Sequence, residues 1–315
     1  MSSQFVDMDA DGNQDILVGS FSGVPFLIKG SKNGYGQPEQ IMDLSGETVL
    51  ISAFWNKEES KWDKTDRSNT EGHCTSAAAV DWDDDGDLDL VLGDYYGGRL
   101  YLRLNEGTPE EPSFATTNSA IVADGNPIVI KKGLAAPKLV DWDGDGSFDI
   151  LCGGSKGGVF LFKNKGQKGS PEFAAAETIV EPIKDDSFIK KVPAYSGHPT
   201  QPGSSFHLET TDYDGDGDLD LLVGSRCSWD REPMPVLSEK DQKRFDEINK
   251  EISEVNQQLT KLRSSAKTDE ERKELIKNED YLKVSKKYGE LFREKRTFDM
   301  EPTKSGDFVW LFRRK

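Results

Sequence analysis

Four short apolar runs, each closed by glycine, recur along the chain: DILVG at Asp15–Gly19, DLVLG at Asp89–Gly93, DILCG at Asp149–Gly153 and DLLVG at Asp220–Gly224. Runs this short and apolar on both faces suit strands buried between two layers. In the first three copies a glycine turn and a second apolar run follow: SGVPFLIKG, GGRLYLRLNEG and GGVFLFKNKG. NEG and NKG then close a further turn, and Phe114 and Phe173 begin another strand. With a strand before each polar loop, the pattern predicts four antiparallel strands per unit. The fourth copy departs after Gly224, and its third strand resumes at the end of the chain, where SGDFVWLFRRK matches GGVFLFKNKG.

The segment between these two parts has a different period. Phe245, Ile248, Ile252, Val255, Leu259 and Leu262 step by alternating threes and fours, a heptad seam that predicts a long coiled-coil-like helix. Ser238 is placed to cap its start. Thr268 with Glu271 has the capping-box spacing for a second helix, with Leu275, Leu282, Tyr288, Leu291 and Phe292 on a less regular face and a kink expected near Asn278. The short connector SSAKT folds the two back as an antiparallel hairpin. At 1.5 Å per residue a helix of ~27 residues makes an arm of roughly 40 Å. The expected division is residues 237–300 as the helical insertion, and 1–236 with 301–315 as the β-rich body.

The polar loops repeat more strictly than the strands. DxDxDGxxD reads DMDADGNQD from Asp7, DWDDDGDLD from Asp81, DWDGDGSFD from Asp141 and DYDGDGDLD from Asp212, with starts 74, 60 and 71 residues apart. A long sustained period marks a solenoid, propeller or array, and four antiparallel strands per repeat favour the propeller. The expected fold is therefore all-β: a β-propeller of four-stranded blades with an inserted antiparallel helical hairpin.

Alternating aspartates turn several carboxylates into one hollow, which suits a hard cation that takes six to eight oxygens. The expected Ca²⁺ groups are Asp7, Asp9, Asp11, Asn13 and Asp15; Asp81, Asp83, Asp85, Asp87 and Asp89; Asp141, Asp143, Asp145, Ser147 and Asp149; and Asp212, Asp214, Asp216, Asp218 and Asp220. Position 7 of each loop offers its carbonyl, and four ions per chain are expected. Without a metal such carboxylates repel one another, so an Asp-rich turn that is merely solvated is the weaker explanation. An EF-hand begins alike but needs a glutamate at position 12 between two helices. Here position 12 is Val18, Leu92, Cys152 or Val223, all within predicted strands.

Charge narrows the partners. The chain carries a formal net charge of −17, which argues against nucleic acid and against an anionic membrane surface. No apolar run approaches the ~20 residues of a membrane-spanning helix. P-loop, CxxC and HExxH motifs are absent from the sequence, and no catalytic residue is assigned. His73, His198 and His207 are scattered and read as structural or solvated. Trp82, Trp142 and Tyr213, at loop position 2, read as packing residues. Cys152 falls in a buried strand, whereas Cys74 and Cys227 share one face, where a disulfide is one alternative to free thiols.

The Asp loops and the strands after them resemble the FG-GAP (VCBS) repeat, found in the propellers of integrin α-subunits and in many secreted bacterial proteins. The resemblance covers roughly 230 residues, and the FG-GAP element itself appears as FSG (Phe21–Gly23), YGG (Tyr96–Gly98) and KGG (Lys156–Gly158). It implies metal roles for Asp7, Asp9, Asp11, Asp15 and their equivalents. It names no ligand, because the family hosts adhesion modules, lectin-like binders and some polysaccharide lyases. Familiar members close rings of six to eight blades, so four blades either close alone or need sequence ahead of Met1, a signal peptide included. Weak extracellular-type calcium sites place the protein outside the cell or in a periplasm. The expected function is a calcium-stabilised binding or interaction module for a polysaccharide or protein, with a carbohydrate-active enzyme on the same scaffold as the alternative. Long insertions gather on the side opposite the Asp loops, which marks Trp55, Trp62, Tyr95, Tyr96, Tyr195, His198, Arg226, Trp229 and Arg231 as candidate ligand residues. The helical arm is a further candidate for protein contact.

Overall fold

The computed structural model describes residues 3–20, 23–51, 54–56, 61–63, 75–95, 97–131, 133–183, 191–231 and 233–314. Four antiparallel sheets follow one another along the chain. Sheet one holds β1 (Ser3–Val6), β2 (Asp15–Val18), β3 (Phe26–Ile28) and β4 (Glu39–Gln40). A two-stranded ribbon, β5 (Phe54–Asn56) with β6 (Lys61–Asp63), precedes sheet two: β7 (Thr75–Val80), β8 (Asp89–Asp94), β9 (Leu100–Arg103) and β10 (Ser119–Ala120). A second ribbon, β11 (Val122–Ala123) with β12 (Asn126–Pro127), leads to sheet three: β13 (Ala136–Val140), β14 (Asp149–Gly153), β15 (Val159–Phe162) and β16 (Glu177–Val180). After the ribbon β17 (Ala194–Tyr195) and β18 (His198–Pro199), sheet four comprises β19 (Ser204–Thr211), β20 (Asp220–Asp230) and β21 (Thr303–Phe312). The C-terminal segment thus supplies the third strand of the last sheet. Phe114 and Phe173 sit slightly ahead of their fourth strands, bridging singly to Asn105 and Asn164.

The chain divides into two compact units. The first, residues 1–193, 199–228 and 305–315, contains the sheets. Its strands alternate between two neighbours, because successive side chains point to opposite faces. Leu17, Val91 and Leu151, on second strands, face the following sheet, while Leu90 and Leu92, Ile150 and Cys152, and Leu221 and Val223 face the preceding one. All nine are essentially without solvent exposure, which explains why these runs are apolar at every position. Glycine closes the second strands for a related reason. A Cβ at Gly93 would lie 1.9 Å from the Ala135 carbonyl oxygen, and one at Gly153 would lie 2.3 Å from that of Phe206. Only glycine lets the next sheet approach so closely.

The outward faces of sheets one and four contain the same positions without the same cover. Phe5 is 63% exposed, where its equivalent Ala79 is 5% exposed. Val309 is 74% exposed, where its equivalent Val159 is fully buried. Tyr213 follows the same rule and departs from the packing role expected for it. Met8 and Trp142 at loop position 2 are buried against the following sheet, and Trp82 packs there beside Phe148 and Phe173. Tyr213 belongs to the last sheet and is 60% exposed, with the Arg313 guanidinium over its ring.

The second unit, residues 194–198 and 229–304, contains α1 (Glu239–Ser265), α2 (Asp269–Leu275) and α3 (Glu279–Thr297). Ser238 caps α1, and the Thr268–Glu271 capping box starts α2. The irregularity expected near Asn278 is a complete break: its side chain accepts the Asp280 and Tyr281 N–H groups and starts a separate helix. α1 packs on α3 through Ile248, Val255 and Leu291, with Ile252, Val284 and Tyr288 around them. Leu282, expected on the inner face, is instead 51% exposed, and Val284 takes that place. Arg244 on α1 clamps Glu294 on α3 with two hydrogen bonds of 2.7 and 2.8 Å. No helix among the described residues is long and apolar enough to cross a membrane.

The matched valines give a direct test of the stacking. Val159→Ala should cost about 1–3 kcal/mol through lost burial and the cavity left behind, whereas Val309→Ala should stay within about 0.5 kcal/mol. Urea denaturation of the two variants measures this, and equal costs would contradict the assignment of buried and open faces.

Candidate metal centres

Each Asp loop joins the first and second strands of its sheet. Glycine at position 6 holds a left-handed backbone: φ is 84° at Gly12, 95° at Gly86, 91° at Gly146 and 96° at Gly217. Position 4 is left-handed as well, at Ala10 (49°), Asp84 (62°), Gly144 (77°) and Gly215 (76°). Residues with a Cβ are strained there, and glycine is not. That second requirement is not stated by the aspartate spacing, although the DGDG of the third and fourth loops carries its signature.

The carboxylate at position 1 organises the turn from inside. Asp141 accepts the N–H groups of Gly144, Asp145 and Gly146 at 2.8, 3.1 and 2.9 Å. Asp212 does the same with Gly215, Asp216 and Gly217 at 2.7, 3.1 and 3.1 Å, and Asp7 accepts from Gly12 at 3.0 Å. Position 5 accepts the N–H of position 7 in every copy: Asp11 from Asn13, Asp85 from Asp87, Asp145 from Ser147 and Asp216 from Asp218. The Asn13 side chain also turns onto Asp11.

These turns draw three carboxylate oxygens within 4.8 Å of one another in each loop. The groups are Asp81, Asp83 and Asp85; Asp141, Asp143 and Asp145; Asp212, Asp214 and Asp216; and, in the first loop, Asp7, Asp9 and Asp15. The first loop therefore substitutes Asp15 for Asp11.

The aspartate at position 9 has a structural task that the motif did not reveal. One of its oxygens accepts the N–H of loop position 2: Met8 to Asp15 at 3.0 Å, Trp82 to Asp89 at 2.8 Å, Trp142 to Asp149 at 3.2 Å and Tyr213 to Asp220 at 3.1 Å. The other accepts an N–H just beyond the third strand: Gly30, Asn105 and Asn164 at 2.7 Å, and Arg314 at 2.9 Å. Asn105 and Asn164 continue the network, each accepting two N–H groups of the following turn. The NxG of NEG and NKG was the available signal.

Charge in these loops is not balanced by hydrogen bonds alone. Burial first, then the neighbouring Asp83 and Asp87 charges, push Asp89 up to about 7 against the pull of its two backbone donors. Burial and the charges of Asp85, Asp83 and Asp81 push Asp87 up to about 6. Burial likewise raises Asp15, Asp83 and Asp149. Asp7 Oδ1, Asp9 Oδ1, Asp81 Oδ1 and Asp87 Oδ1 are buried without a hydrogen-bond partner. A buried, partnerless carboxylate oxygen is costly unless a cation meets it. An all-oxygen donor set of this kind fits a hard cation such as Ca²⁺.

The candidate ligand residues are divided between the two units. Trp55 stands opposite Trp62 in the β5–β6 ribbon, and Tyr95 follows β8; Tyr96 lies outside the described residues. The Arg226 side chain is 62% exposed and 3.8 Å from Asp307. Tyr195, 80% exposed, and His198 belong to the second unit. Trp229 and Arg231 belong there too, but neither is displayed. Trp229 is buried and donates its indole N–H to the Gly197 carbonyl at 2.8 Å, and Arg231 is held by Asp299 at 2.7 Å. Both make these contacts within the second unit. Cys152 and Cys227 are free and buried, and Cys74 lies outside the described residues.

Residues 141–223 match the family model of the FG-GAP-like repeat, and this segment, which includes the third and fourth Asp loops, carries that repeat. No curated protein matches the chain in sequence.

The raised Asp89 dictates the sign of a pH effect. A carboxyl whose folded-state pKa, about 7, exceeds its unfolded value favours folding fully below the unfolded pKa, near 4, and loses that contribution as pH rises to about 7. In chelator, the melting temperature should therefore decline more steeply over this window in the parent protein than in Asp89→Asn. Parallel melting curves for the two would refute the assignment.

Proposed function

We propose that the four sheets are blades of a calcium-stabilised β-propeller, that each Asp loop holds one Ca²⁺, and that the protein works as an extracellular-type binding or interaction module. The observation that carries this reading is the convergence of three carboxylates in each repeated loop, with buried oxygens left without partners in the first two loops. The FG-GAP-like repeat over residues 141–223 supports it independently.

Asp7, Asp9 and Asp15 would hold the first ion, joined by Asp11 and the position-7 carbonyl of Asn13 when it binds. The equivalent groups serve loops two to four: Asp81, Asp83, Asp85, Asp87 and Asp89; Asp141, Asp143, Asp145, Ser147 and Asp149; Asp212, Asp214, Asp216, Asp218 and Asp220. The metal's contribution is structural: its two positive charges offset the repulsion among the loop's carboxylates and lock the turn that the position-9 aspartate already ties to the third strand.

Ligand recognition belongs, on this reading, to the ends of the strands remote from the Asp loops, where the chain makes its longest excursions. Arg226 is an exposed cation there. It lines a hollow of about 470 Å³ with Ser205, His207, Gly224, Asp307 and Val309. A guanidinium at a shallow hollow suits a carboxylate- or sulfate-bearing sugar, or an acidic peptide.

Elemental analysis should find four Ca²⁺ per chain after equilibration in millimolar calcium, with affinities of about 10⁻⁴ to 10⁻³ M. Each site at ten times its Kd should add about 1.4 kcal/mol of stability. A melting temperature identical in calcium and in chelator would falsify the metal reading. Separately, Arg226→Ala should weaken capture on an array of acidic polysaccharides and peptides without altering the calcium-dependent melting shift. Appearance of unsaturated sugar products on such an array would instead favour a lyase.

A further inference from the structure

The four loops differ in one neighbour. The N–H that meets the position-9 aspartate from beyond the third strand belongs to Gly30, Asn105, Asn164 or Arg314. The residue just before it therefore occupies one equivalent place in each sheet, directly beside the loop. That residue is Lys29 in the first sheet, Lys163 in the third and Arg313 in the fourth; in the second it is Leu104.

The three basic residues pair with the same loop position. Lys29 Nζ lies 2.7 Å from Asp9 Oδ2, Lys163 Nζ lies 3.4 Å from Asp143 Oδ2, and Arg313 Nη1 lies 3.7 Å from Asp214 Oδ2. Each of those position-3 aspartates belongs to its loop's convergent trio. Leu104 offers no charge, and Asp83 has no ion pair among the described residues. The basic side chain that does reach this loop, Lys168, pairs with Asp84 at position 4, outside the trio. The second loop also has a carboxylate at position 7, Asp87, 4% exposed with Oδ1 unpartnered.

We propose that this residue sets the calcium affinity of its loop: Lys29, Lys163 and Arg313 act as tethered counter-cations that weaken metal binding, and the second loop, with Leu104, is the tightest site and fills first. The inference rests on the calcium reading above. A side-chain cation a few ångströms from the ion competes for the position-3 carboxylate and repels the ion's charge. Coulomb's law in a largely solvated site makes that worth about 3- to 10-fold in affinity. The chain would then respond to calcium in two stages. One blade is locked at low concentration, and the other three at higher concentration.

Calorimetric titration of the full chain with CaCl₂ tests this directly. Wild-type protein should show one site about 3- to 10-fold tighter than the other three, and Asp85→Asn should remove that site selectively. Leu104→Lys should bring it down to the level of the others without changing the total, while Leu104→Gln, which loses apolar contact without adding charge, should not. Lys163→Leu should create a second tight site, and this arm stands even where Leu104→Lys fails to fold. Four bound ions with a titration unchanged by Leu104→Lys and Lys163→Leu would overturn the proposal and leave the calcium reading standing. Survival of the tight site in Asp85→Asn would overturn it equally. No binding by the wild-type chain would remove both.

Discussion

The aspartate at loop position 9 stands where three segments of each sheet meet. It begins the second strand, its carboxylate reaches back to the N–H of loop position 2, and its other oxygen reaches across to the N–H that follows the third strand. A tight loop between antiparallel strands leaves backbone donors that no ladder satisfies, and buried donors must find acceptors somewhere. One carboxylate satisfies two of them and thereby fixes where the Asp loop sits relative to the sheet edge. The arrangement carries an electrostatic cost: the group is buried beside other carboxylates, which is why Asp89 and Asp149 are displaced toward the protonated form. Geometry and charge are thus opposed in the same residue, a conflict that a divalent cation in the adjoining turn would relieve.

The stacking of sheets follows from the same register. Once position 9 opens the second strand, the residues after it alternate between the preceding and the following sheet, and glycine ends the run where the next backbone comes closest. Loop position 2 is carried toward the following sheet, so Met8, Trp82 and Trp142 extend each junction beyond the strands themselves. Gln4 adds a polar link at the first junction, exchanging two hydrogen bonds with the backbone of Ala79. The junctions are variations on one interface, repeated because the register is repeated.

Much of this was legible in the sequence because strict spacing encodes it. The Asp motif, the glycine-closed runs and the heptad seam each repeat a geometric requirement often enough to be read without coordinates. The C-terminal strand was legible for the same reason: SGDFVWLFRRK keeps the alternation of the third strand after a long interruption. What was not legible depends on partners far along the chain. That position-9 aspartates staple backbone, that Trp229 is buried on Gly197, and that Arg231 serves Asp299 are facts about tertiary neighbours. Sequence rules score a tryptophan and an arginine in a loop as display. The structure buries the first and engages the second, because a long insertion needs a core of its own where it leaves the sheet.

The exposed ends of the stack sharpen that lesson. Phe5 and Val309 look like core residues by composition, and their equivalents Ala79 and Val159 are core residues in fact. The difference is position in the array. Sheet one exposes the face that every later sheet turns to its predecessor, and sheet four exposes Tyr213 and Val309 from the face that every earlier sheet turns to its successor. A repeat protein buries each unit's two faces against unlike neighbours, so its first and last units each retain one such face. The two retained faces are of opposite type, the same two types that meet at all three internal junctions. Complementarity is therefore built into the ends by the repeat itself. Selection for junctions between neighbouring sheets is enough to make it, without any separate requirement on Phe5, Tyr213 or Val309.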